Sequence, residues 1–134
     1  MRLSLNDIFR YDIPEIDTVH DQIVLMLNEI GDCLTNGDFD SAMRQIIHLI
    51  AVERKHARFE NQLLEKHNYG ETASHKDYHA ELSAVLNNIM SALAVGDQER
   101  SIGLYEQLCK VFLDDLLTAD LPFKSLLQHR MLGR

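Results

Sequence analysis

The chain has 134 residues, 46% apolar and 25% charged, which suits one compact core, leaves no room for two domains and argues against a disordered or fibrous chain. Thirteen Lys and Arg against twenty-one Asp and Glu give a formal charge of −8, a balance that repels phosphate backbones and anionic lipid surfaces. No nucleic-acid or membrane partner is expected. The one basic cluster, Arg54, Lys55 and Arg58, is interleaved with Glu53, His56 and Glu60 and reads as a solvated helix face.

Ile16, Val19, Ile23, Met26, Leu27, Ile30 and Leu34 recur at steps of three and four, the spacing of an amphipathic helix over about 16–35. Asn36-Gly37-Asp38 interrupts it. A second helix is expected over about 41–66, with Ile46, Ile47, Ile50, Phe59 and Leu63 on its apolar stripe. Turn chemistry at His67 to Gly70 separates it from a third helix over about 74–95, for which Ser74 followed three residues later by Asp77 offers a cap; Leu82, Val85, Leu86, Ile89 and Leu93 face inward. Gly96 ends that helix and Asp97 caps a fourth, over about 98–120, with Leu104, Leu108, Val111 and Phe112 inward and Pro122 as its stop. Residues 123–134 form a short tail. Helices of some 20 residues are roughly 30 Å long, and short connections make neighbours antiparallel. The whole chain therefore reads as one all-α, up-down-up-down four-helix bundle.

No apolar run nears the roughly 18 residues of a membrane span, and MRLSLNDIFR lacks a signal-peptide pattern, so a cytoplasmic protein is expected. Cys33 and Cys109 form no CxxC pair and read as reduced, buried thiols. Seven histidines without a tryptophan direct attention to metal binding. His75 and His79 stand four apart, so their rings share one helical face; His56 and Glu60 repeat that geometry on the second helix. A carboxylate can bridge two ions where an imidazole cannot, and Asp120 offers a second bridge from the opposite wall. Antiparallel order brings His20, late helix two, early helix three and late helix four to one end. Imidazole and carboxylate without thiolate suit iron ahead of manganese or zinc. His48, His67 and His129 have no partner at ligand spacing and read as surface or core-edge histidines; Met26 and Met90 read as core. Glu53 and His56 form an ExxH pair, but no second such pair exists, which excludes a ferritin-like carboxylate site.

From about Tyr11 to Leu127 the chain resembles the hemerythrin family, in particular its bacterial single-domain members. The resemblance rests on Ile16-Asp17-Thr18-Val19-His20, on His56-Ala57-Arg58-Phe59-Glu60, and on His75-Lys76-Asp77-Tyr78-His79, with fifteen residues from Glu60 to His75. The family's last motif, a histidine followed five residues later by aspartate, is met only at Asp120: Asp115 stands in the histidine's place and Val111 in that of a customary tryptophan. The resemblance implies a non-haem centre of two iron ions with an oxo or hydroxo bridge. His20 and His56 would hold one ion, His75 and His79 the other, with Glu60 and Asp120 between them. If Asp115 ligates, a third anionic ligand favours the ferric state and quickens autoxidation. If it is too short to reach, the second ion keeps an open position.

The function implied is dioxygen binding, or binding of another small diatomic, for oxygen or redox sensing or for delivery. The alternatives are a di-iron oxidase, peroxidase or nitric-oxide-handling enzyme, and a metal-poor interaction bundle. No additional general base marks the chain as an enzyme, and a signalling partner is not identified by any motif.

Overall fold

The computed structural model describes Leu3 and residues 14–66 and 73–115, excepting the side chains of residues 64, 73–76 and 115. Within these lie four helices, α1 (Pro14–Thr35), α2 (Phe39–Lys66), α3 (Ala73–Ala94) and α4 (Gln98–Asp115), and no strand. Each helix packs on the next and α4 returns to α1, closing a four-helix bundle. None of the described helices is long and apolar enough to cross a membrane.

The two described connections share one construction. Gly37 and Gly96 both adopt φ of 71°, a left-handed conformation that costs glycine nothing. Around them the amides close Schellman turns: Asp38 N–H donates to the Cys33 carbonyl (2.9 Å) and Asp97 N–H to the Ala92 carbonyl (3.0 Å). The aspartate after each glycine then caps the following helix, Asp38 Oδ1 accepting from Ser41 N–H at 3.1 Å and Asp97 Oδ1 from Arg100 N–H at 3.0 Å. Gln98 Nε2 donates to the Leu34 carbonyl at 2.9 Å, joining the turns across the same end of the bundle. One end is thereby built rigidly by backbone; the opposite end, where α1 begins, α2 ends and α3 begins, carries the polar side chains.

The core follows the expected stripes closely. Ile16, Ile23, Met26, Leu27, Ile30 and Leu34 of α1 are buried, as are Leu82, Val85, Leu86, Ile89 and Leu93 of α3 and Leu108, Val111 and Phe112 of α4. Burying a side chain of this size is worth about 1.5–3 kcal/mol, so these stripes hold the helices together. Val19 and Leu104 pack only at the margin of the core.

Some local expectations are corrected. Ile47 is 52% exposed and Leu49 takes the inward place, because at 100° per residue Ile47 rotates off the line through Ile46 and Ile50. Helix α1 starts at Pro14, whose ring suits a first helical turn, and α2 starts at Phe39, directly behind its Asp38 cap. Helix α3 already includes Ala73, which places Ser74 inside the helix rather than at its cap. Described structure in α4 stops at Asp115; the expected continuation to residue 120, the tail 123–134, and His67 and His129 lie outside the described residues.

Candidate metal centre

Local helical order determines which side chains of α2 enter the bundle. Glu53, His56 and Glu60 recur at steps of three and four, and all three are buried, whereas Arg54, Lys55 and Arg58 point outward and are exposed. The solvated-face reading thus holds for the basic residues and fails for the acidic ones. From α1, His20 is 2% exposed, and its ring meets that of His56 edge-on with centroids 5.1 Å apart. Phe112 of α4 stands edge-on to His20 on another side, centroids 6.1 Å apart. Three helices therefore converge on His20.

His56 Nε2 lies 2.7 Å from Glu60 Oε1, a contact within hydrogen-bonding distance that does not meet hydrogen-bond alignment. Burial opposes a charge on the His56 ring, but the neighbouring carboxylates, Glu60 above all and then Glu53, outweigh burial and the nearby His79, and the imidazole's pKa is held above its ordinary value. On α3, the half-buried His79 presents Nδ1 to Glu53 Oε1 at 3.4 Å, and its ring lies 5.2 Å from that of Tyr78. His20, His56, Glu60 and His79 accordingly occupy one end of the bundle, as antiparallel order requires. The side chains of His75 and Asp115, and Asp120 entirely, lie outside the described residues.

Sequence reasoning assigned Glu53 no part in the site. The signal was its place three residues before His56 and seven before Glu60, on the same helical face. His48 is exposed and Met26 buried, as expected.

Among the described residues, no group of three His, Cys, Asp or Glu side chains is arranged to hold a metal ion. They meet in pairs. The donors nevertheless suit a cation: Nδ1 of His56 and Oε1 of Glu53 are buried without a hydrogen bond, which costs a folded chain stability, and His56 Nε2 and Glu53 Oε1 each face an oppositely charged or ligating group from this same cluster. The hemerythrin HHE cation-binding domain matches residues 12–118. The chain belongs to the hemerythrin family. No curated protein and no solved structure matches it. As a hemerythrin cation-binding domain, it carries buried imidazole and carboxylate side chains on neighbouring helices of one bundle end, groups whose chemistry is compatible with a cation.

Proposed function

We propose that this hemerythrin domain is a non-haem di-iron protein that binds dioxygen, or another small diatomic, for sensing or delivery. The observation that carries the reading is the meeting of His20 and His56 from separate helices, both buried, with Glu60 beside them. His20 and His56 would hold one ion and His75 and His79 the other, Glu60 and Asp120 serving both. Two iron ions held there would supply a redox pair able to take up dioxygen. The chain's own contribution is to exclude water and orient the donors. Phe112 walls one side of His20, and the apolar layer of Ile23, Leu27 and Leu108 lies within the bundle. Asp115 in place of the family's histidine is read as a change at the second ion that speeds oxidation. Asp115→His is expected to lengthen the lifetime of the oxygenated form.

A second reading, a di-iron oxidase, peroxidase or nitric-oxide-handling enzyme, draws support from a cavity of ≈ 540 Å³ between α1 and α2. Val19, Val52 and Phe59 line it together with His56, and exposed Glu15, His48 and Lys55 add polar groups. Its size suits a small organic reactant.

Anaerobic loading with ferrous iron, metal counting, and an optical spectrum on admitting oxygen separate these readings. Two irons per chain and an absorption band that vanishes when oxygen is removed support sensing or delivery. Two irons with sustained oxygen consumption in the presence of a reductant favour the enzyme. Failure to retain two irons overturns both and leaves the metal-poor bundle.

A further inference from the structure

Glu53 is the one buried ionisable side chain of α2 that the proposed centre leaves without a role. It stands on a core stripe, one turn beyond Leu49 and one turn before His56, and is 7% exposed. The small internal void it lines is otherwise walled by apolar and aromatic side chains, Leu49, Leu82 and Phe112 among them. A leucine here would complete the core, whereas a carboxylate whose Oε1 makes no formed hydrogen bond lowers stability. A requirement of folding alone does not account for it.

Its contact with His79 does. Glu53 Oε1 faces His79 Nδ1 at 3.4 Å, slightly beyond an ordinary N–H···O bond, across the α2–α3 seam. A neutral imidazole carries its proton on one nitrogen and a lone pair on the other, and only the lone pair can ligate. A carboxylate beside Nδ1 draws the proton to that atom and turns the lone pair of Nε2 toward whatever the ring is to bind.

We propose that Glu53 is a positioning residue of the metal centre: across the α2–α3 seam its carboxylate holds the His79 proton on Nδ1 and so presents Nε2 as the donor atom. The inference rests on the reading of His79 as a ligand. It goes beyond that reading by assigning the ring's protonated nitrogen and the residue that sets it.

The test uses the full chain labelled with ¹⁵N-histidine and freed of metal, at a pH where the imidazoles are neutral. Long-range ¹H–¹⁵N spectra identify the His79 tautomer, with Nδ1–H expected in the wild type. Glu53→Leu is expected to return His79 toward the Nε2–H form while the metal-free protein melts at or above the wild-type temperature. In anaerobic ferrous titrations it is expected to weaken binding by about 10- to 100-fold. Glu53→Gln, whose amide oxygen can still accept a hydrogen bond from Nδ1–H, is expected to lie between the two. A wild-type His79 protonated on Nε2 overturns the proposal without any variant, as does a Glu53→Leu protein that keeps the wild-type tautomer or iron affinity. If the wild type takes up no iron, the di-iron reading fails while the metal-free spectra still decide the Glu53–His79 pairing. If the wild type takes up two and Glu53→Leu binds them as tightly, the di-iron reading stands and the role of Glu53 is refuted.

Discussion

Adding one methyl group at Gly31 tests the packing that brings α1 against α4. A Cβ on Gly31 would stand 2.6 Å from Tyr105 Oη and 2.8 Å from Cζ. Carbon contacts settle near 3.5–4.0 Å, so ring and methyl must separate by about 1 Å. Tyr105 is only 4% exposed and belongs to the core cluster, so its ring has little room to yield. Overpacking of this kind costs about 1–3 kcal/mol, against which alanine recovers about 1 kcal/mol of helix propensity. Gly31→Ala is therefore expected to lose up to about 2 kcal/mol net, up to roughly 8 °C in Tm for a domain of this length. Urea and thermal unfolding followed by circular dichroism measure the loss, and Tyr105→Leu provides the control. With the ring removed, the same Gly31→Ala change should be neutral or stabilising, and the double-mutant cycle should return a coupling above 1 kcal/mol, as an order of magnitude for residues in contact. A higher Tm for Gly31→Ala alone, or an equal loss in both backgrounds, would refute the argument. The seam matters to the site because Phe112, two turns along α4 from Tyr105, is what meets His20 of α1.

Other expectations follow from local contacts. Asn28 Oδ1 accepts from Leu3 N–H at 2.8 Å and its Nδ2 donates to the Leu3 carbonyl at 3.0 Å; losing both bonds in Asn28→Ala should cost about 1–3 kcal/mol and speed hydrogen exchange at the Leu3 amide. Unchanged exchange there would contradict it. Burial raises the pKa of both thiols, with Asp38, Asp32 and Glu29 adding to the rise at half-buried Cys33 and Glu106 to that at fully buried Cys109. Titration with a chromogenic disulfide should find Cys33 reacting first and Cys109 only as the chain unfolds, and equal rates would exclude this order. Hydrogen bonds from Ser41 lower the Asp38 pKa. A depressed carboxylate contributes stability that is present above its unfolded pKa and lost as pH falls through its folded one. The acid limb of the unfolding profile should consequently flatten in Asp38→Asn, and a limb identical to wild type would remove Asp38 from the account.

The four helices were legible in the chain because helical rotation is a local property. Apolar residues at steps of three and four, divided by Gly37-Asp38 and Gly96-Asp97, specify rods and turns whatever surrounds them. The same locality made His20, His56 and Glu60 stand out as candidate donors. Misjudged residues were those whose surroundings come from another helix. Ile47 is as apolar as Ile46, but one residue's rotation carries it off the face that the neighbouring described helices cover, and it is exposed. Glu53, flanked in sequence by Arg54 and Lys55, looks solvated, yet α3 encloses it and sets His79 against its carboxylate. Periodicity names the face that turns inward; where the next helix crosses that face decides which polar group on it loses its water and which partner it finds.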